Sequence, residues 1–217
     1  MNTRPWNESI WFSPAYVINE LTRGCVNKSS EKILKRLKEG WICAIGIICR
    51  AKNENAEWWI QLPRVDPPDA LAMKFVPTED GKGQYLSELK VEVFEISDHD
   101  DKESVEGSII RKLKDKDYSG MTVIGFMRRL NGFNHESVAR HIKDLKPRAG
   151  SVSMIVFEDK NPTMVSYIQL FPETLKLNVD FGAYCKAVNQ RDFIEVRRGI
   201  KVQKEESTTT DSLTLVP

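Results

Sequence analysis

The sequence predicts an α/β domain, a central mixed β-sheet flanked by helices, and three observations carry that expectation. Segments of helical and of strand-like periodicity follow one another from residue 29 to residue 157. The run 121–127 is compact and largely apolar, as suits a parallel strand buried on both faces. After residue 163, strand-like stretches are broken by turn-forming residues, which predicts a β-rich extension.

Ser29, Ser30 and Glu31 open the first helix, because a serine hydroxyl can accept from the free amides of a first turn. Beyond Gly40, the residues Trp41, Ile42, Ala44, Ile45, Ile47, Ile48 and Ala51 keep helical spacing. The alternate set Trp41, Cys43, Ile45 and Ile47 would also suit a strand, and continued helix is the expectation. Residues 57–62, rich in Trp and Ile and ended by Pro63, read as a short strand. Residues 69–76, after Pro67 and Pro68, read as another. Asp80-Gly81-Lys82-Gly83 supplies a turn. The stretch 86–96 then alternates, with Leu89, Val91 and Val93 on one face and Lys90, Glu92 and Phe94 on the other.

From Ser104, the stripe of Val105, Ile109, Ile110 and Leu113 marks an amphipathic helix that turns Arg111, Lys112, Lys114 and Lys116 to water and ends near Tyr118-Ser119-Gly120. Residues 135–145 form a second amphipathic helix and 152–157 a further apolar strand. The stretches 164–171, 174–181 and 193–202 have strand composition and are separated by Pro172, by Gly182 and by the polar segment around Asn189. They are expected to form an added β-rich edge. From Gln203 onward there is little to bury, and a mobile tail is expected over 203–217.

Composition narrows the function classes. A chain of 217 residues with 41% hydrophobic and 29% charged residues can bury a core as one domain, here expected over 1–202. The net charge of +1 means that any nucleic-acid surface must be a local patch. Cys25, Cys43, Cys49 and Cys185 show no CxxC pairing, and His99, His135 and His141 are not spaced as zinc ligands with them. Reduced thiols in a cytoplasmic protein are the expectation. The amino terminus lacks the pattern of a signal peptide, and the apolar run 41–49 is far shorter than the roughly 20 residues of a spanning helix, so no membrane partner is expected. No glycine-rich phosphate loop, nucleophile elbow or dinucleotide fingerprint is present.

The residues that point to chemistry are Pro68-Asp69 at a strand entry and Glu92 on the next strand, 23 positions on, with the glycine turn between them. The order helix, strand, strand, strand, helix, strand around them resembles the core of the PD-(D/E)XK nuclease superfamily. There, a Pro-Asp and a following Glu or Asp converge on a divalent cation, usually with a lysine two residues later. The resemblance spans about residues 29–157 and implies a restriction-endonuclease-like core. It further implies Mg²⁺ or Mn²⁺ held by Asp69 and Glu92 and hydrolysis of DNA phosphodiesters. Hard Mg²⁺ prefers oxygen ligands and keeps several waters, so two carboxylates suffice to hold it.

The sequence departs from that pattern at Phe94, which stands where the lysine is usual; Lys90, two residues before Glu92 on the same strand face, is the expected replacement. Phe94 favours a second reading, a catalytically degenerate relative that binds nucleic acid or protein. A third is an unrelated α/β interaction protein in which Asp69 caps a turn and Glu92 pairs with Lys90. Glu31 could contribute as the first-helix acidic residue does in some members of that superfamily, and Glu95, expected on the strand face opposite Glu92, is the weaker acidic candidate. Arg111-Lys112-Lys114-Lys116 and Arg197-Arg198-Lys201 could contact phosphates, and Trp41, Trp58 and Trp59 are expected in the core. A homodimer is compatible with this sequence.

Overall fold

The run after Gly40 is helical. In the computed structural model, which describes residues 9–25, 31–63, 68–96, 104–128, 133–199 and 212–216, helix α2 (Glu31–Glu54) continues through it. The helix lays Ile42, Ile45, Ile48 and Cys49 against the sheet, all at most 1% exposed. Ser29 and Ser30, expected to open this helix, lie outside the described residues.

The strands are β1 (Ile10–Phe12), β2 (Trp59–Gln61), β3 (Ala70–Pro77), β4 (Gln84–Glu95), β5 (Thr122–Met127), β6 (Ser151–Glu158), β7 (Asn161–Phe171), β8 (Leu175–Asp180), β9 (Phe193–Gly199) and β10 (Ser212–Val216). The remaining helices are α1 (Pro14–Cys25), α3 (Val105–Asp115), α4 (His135–Leu145) and α5 (Phe181–Ala187). The described strands form one mixed sheet in the order β10-β9-β1-β2-β3-β4-β5-β6-β7-β8. β2, β3 and β4 are an antiparallel meander, β4, β5 and β6 are parallel, and β6, β7 and β8 are antiparallel again.

Two cores cover the two faces. On one, Val91 and Val93 of β4 and Ile124 and Phe126 of β5 pack with α1 and α2. On the other, Phe94, Val123 and Met127 pack with Ile109 of α3 and with Val138 and Ile142 of α4. The alternation expected for β4 is therefore real, and helices clothe both sides of its second half. α3 and α4 begin as their sequences suggest: Ser104 accepts from the Gly107 amide and Asn134 from the Ser137 amide, each at 3.1 Å.

Four features differ from the expectations. β1 and α1 were not anticipated, although Ser13-Pro14 is a helix-start signal, and the Ser13 hydroxyl accepts from the Tyr16 amide at 3.1 Å. Gly182 does not merely separate two strands. It lies in α5, capped by Asp180, whose carboxylate accepts from the Ala183 amide at 2.9 Å. The β-rich extension is not one edge: β7 and β8 lie at one end of the sheet, whereas β9 crosses to the other side and pairs with β1. Residues 203–211 lie outside the described residues, and Ser212–Val216, expected within a mobile tail, pairs antiparallel with β9. Among the described residues, no helix is long and apolar enough to cross a membrane.

Candidate active site

The register Ala70 to Val91 brings the entry of β3 alongside the second half of β4, and with it Asp69 alongside Glu92. The Val93 amide donates to Oδ2 of Asp69 at 2.7 Å, which ties the carboxylate to β4. Glu92 is only 4% exposed. Its Oε1 accepts from Nζ of Lys116, while its Oε2 is buried without a hydrogen-bond partner. Leaving a buried carboxylate oxygen unpaired is costly, so Oε2 is the oxygen of Glu92 open to a water or a cation.

Lys116 comes from the first residue after α3, where the chain is already extended. Its ammonium also lies 5.5 Å from the ring centre of Tyr118, within cation–π range. Partial burial pulls the pKa of Lys116 down, but the hydrogen bond and charge of Glu92 outweigh it, so the group stands above the ordinary lysine value and remains a cation. Tyr118 is pushed up by burial; the Lys116 charge opposes this and the charges of Glu92 and Asp69 add to it. Cys43 lies within the same field: burial first, then Asp69, Glu39 and Glu92, drive its thiol upward, so it stays protonated and is a poor ligand or nucleophile.

Asp69, Glu92, Lys116 and Tyr118 line a cleft of about 460 Å³ between α2 and α3. Lys35, Lys38 and Glu39 form the α2 wall, and Arg111, Lys112 and Lys116 the other. Lys38 pairs with Glu95 at 2.6 Å, so Glu95 faces α2, opposite Glu92 as the alternation requires. Glu39 pairs with Lys35 at 3.5 Å. Phe94 contributes to the cleft lining and to the second core. The cleft sits beyond the carboxyl end of β4, with a helix on either side, where open α/β sheets place their ligands.

Of the site residues expected from sequence, Asp69 and Glu92 come together. Lys90 does not join them: it is exposed on β4 opposite Leu71 and does not line the cleft. Lys116, expected to face water, stands instead in the place beside Glu92 that was expected of Lys90. The Glu31 side chain lies outside what is described, as do those of Arg197 and Arg198 and the whole of Lys201. His141 pairs through Nδ1 with Glu106 of α3 and takes no part in the cleft. Trp58 and Trp59 are buried, and Trp41 stacks on Phe157 at 5.6 Å, so the tryptophans are core residues as expected.

Lys35, Lys38 and Glu39 were not anticipated, although their spacing by three and four places them on one helical stripe, the signal that could have found them. Among the described residues, no group of three or more His, Cys, Asp or Glu side chains is arranged to hold a metal ion. The carboxylates that the β3–β4 register brings side by side in the cleft are Asp69 and Glu92. The buried, unpaired Oε2 of Glu92 fits a hard divalent cation that completes its shell with water. Compared with known proteins, the chain matches no family model, no curated protein and no solved structure.

Proposed function

We propose that this chain is a divalent-metal-dependent phosphodiesterase acting on DNA, of the PD-(D/E)XK kind, in which Asp69 and Glu92 would hold Mg²⁺ or Mn²⁺. The observation that carries the reading is Glu92: a carboxylate 4% exposed, one oxygen on a lysine and the other unpaired beside a second carboxylate, in a cleft whose walls carry Lys35, Lys38, Arg111 and Lys112 together with Glu39, Glu95 and Asp115. The order α2, β2, β3, β4, α3, β5, with the carboxylates at the entry of β3 and on β4, supports it.

A bound divalent cation supplies charge neutralisation on the phosphoryl oxygens and a water acidic enough to act as nucleophile near neutral pH. The chain supplies the rest. The Val93 amide fixes Asp69, so little ordering remains when the carboxylate is used. Lys116 orients Glu92 through Oε1, leaving Oε2 for a ligand, and sets an ammonium where negative charge grows on the phosphate. Lys35, Lys38, Arg111 and Lys112 flank the carboxylates and attract the phosphates on either side. The ring of Phe94 and the core behind it keep bulk water off one wall.

The test is cleavage of plasmid and single-stranded DNA with Mg²⁺ or Mn²⁺, together with calorimetric titration of Mn²⁺, for wild type, Asp69→Ala and Glu92→Ala. Metal-dependent cleavage and Mn²⁺ binding lost in both variants is the expected result. Intact DNA under every condition, with no heat of Mn²⁺ binding, overturns the reading. Phe94 in the cleft lining favours a second reading, a DNA-binding module without catalysis, which retains DNA binding in the absence of any cleavage.

A further inference from the structure

A second hollow, of about 360 Å³, adjoins the cleft between the segment after α3 and the turn after α4. Asp115, Lys116 and Tyr118 line both spaces, so they form a rib with the carboxylate site on one side and the hollow on the other. Across the hollow from the rib stand Lys146 and Arg148, and Lys114 completes a basic lining. The turn that carries them is fixed, since the Gly120 amide donates to the Arg148 carbonyl at 3.0 Å.

The charges are poised for an anion. Asp115 pairs with Arg111 and Asp117 with Arg148, both at 3.8 Å and both largely exposed. Such pairs are weak and give up their cation readily to a phosphate. Among the described residues, no carboxylate oxygen lies within ion-pair distance of Lys114 or Lys146.

Lys146 supplies an independent observation. It closes α4 in the left-handed conformation, at φ 49° and ψ 59°, a position where a β-carbon is crowded and glycine is the usual occupant. A lysine kept there costs stability that glycine would return. Strain of that kind gathers at functional positions.

We propose that this hollow is a phosphate-binding subsite, and that Lys146 and Arg148 hold a backbone phosphate of the same DNA strand whose scissile bond lies in the cleft. The inference rests on the DNA-cleaving reading given above. The rib places Lys116 between the two spaces, so a strand crossing it passes Lys38, Lys116, Lys146 and Arg148 in turn. The subsite makes the protein a reader of polymer rather than of a single phosphate ester: a strand long enough to cross the rib gains contacts that a dinucleotide cannot make.

The experiment measures fluorescence anisotropy of a labelled single-stranded oligonucleotide and of a labelled dinucleotide, in Ca²⁺ to suppress turnover, over a range of salt. Wild type is compared with Lys146→Gly, Arg148→Ala and, as a remote control, Lys176→Ala, and thermal melting is followed in parallel. Lys146→Gly is expected to melt at or above the wild-type temperature yet bind the oligonucleotide roughly three- to tenfold more weakly, with a salt slope lower by about 0.7. Arg148→Ala should weaken binding similarly, while dinucleotide binding and Lys176→Ala stay at wild-type values.

Unchanged affinity and salt slope in both Lys146→Gly and Arg148→Ala, or a wild type that binds no DNA, overturns the subsite. Failure of the catalytic reading shows separately. A protein whose oligonucleotide binding depends on Lys146 but which cleaves nothing with any metal keeps the subsite and loses the nuclease. A protein that cleaves DNA with no dependence on Lys146 or Arg148 keeps the nuclease and loses the subsite.

Discussion

Phe94 of β4 and Gly125 of β5 are register partners, and the Phe94 ring occupies the space beside Gly125 that a side chain would need: a β-carbon there would lie 2.6 Å from Cζ of Phe94 and 2.3 Å from Sδ of Met154. The aromatic residue at the position where the resembled superfamily carries lysine is therefore a packing element as well as a wall of the cleft. It is 6% exposed and belongs to the core under α3 and α4.

Gly125→Ala follows from that contact. The added methyl must push the ring or the thioether aside, and overpacking of this kind costs about 1–3 kcal/mol. Urea denaturation should show the loss, and displacement of Phe94 toward the cleft should lower DNA cleavage as well. A variant as stable as wild type would mean that the two strands part more easily than their packing suggests.

Phe94→Lys, which places a lysine where the resembled superfamily carries one, is expected to fail as a gain of function. It removes a buried ring and forces an ammonium against Ile109 and Met154, at a cost of about 3 kcal/mol or more. Denaturant melts and cleavage assays should both fall. Faster cleavage from a stable variant would show that this position, and not Lys116, is the proper seat of the lysine.

Lys116→Ala and Lys90→Ala separate the two lysines. Removing Lys116 leaves Glu92 buried with neither oxygen paired, expected to cost about 1–3 kcal/mol, and removes the cation nearest the carboxylates. Cleavage should drop about 100-fold, the loss typical of one electrostatic group at a reacting centre. Lys90 is exposed and outside the cleft, so its removal should change stability by no more than about 0.5 kcal/mol and leave the cleavage rate at the wild-type value.

Glu92→Met is expected to separate stability from activity. It replaces a buried, half-paired carboxylate with an apolar side chain of similar length, and frees Lys116, already 45% exposed, to solvent. Removing one partner of such a pair is costly where the other charge stays buried, but the lysine left here is half-exposed and is hydrated instead, so the exchange should be close to neutral in stability. Melting temperature should hold or rise while Mn²⁺ binding and cleavage vanish. A large loss of stability would instead make Glu92 a structural anchor.

The Glu54 cluster governs part of the acid limb of stability. Burial pushes the Glu54 carboxyl up, but the hydrogen bond and charge of Lys74 and those of Arg50, each at 2.6 Å, outweigh it and hold the group below the ordinary glutamate value. A carboxylate depressed in the fold contributes stability that is complete above the unfolded pKa and disappears as the pH falls through the folded one. Wild type should therefore lose stability as the pH drops through and below the ordinary carboxylate range. Glu54→Gln should be less stable at neutral pH and flatter across that window, as measured by denaturation at stepped pH.

Local physics made much of the core legible. Period 3.6 over Ile42–Cys49 and in α3 and α4, period 2 over Val91–Phe94 and the largely apolar β5 each report burial, because burial is imposed position by position. Asp69 and Glu92 were legible as partners because a tight turn between adjacent strands fixes their register within a short stretch of chain.

The remainder was decided at long range. Nothing near Lys116 in sequence announces Glu92, 24 residues away and across a helix, whereas strand alternation pointed to Lys90, which shares a face with Glu92 but lies beyond the covered end of the strand. Nothing in β9 tells that it crosses the sheet to β1, since an edge strand accepts any partner with matching hydrogen bonds. Sequence alone thus determined the helices and strands between residues 31 and 171 and which two carboxylates meet, because those follow from periodicity and from one turn. The tertiary structure alone decided which lysine serves them and where the outer strands attach, because those depend on packing between residues that no local pattern relates.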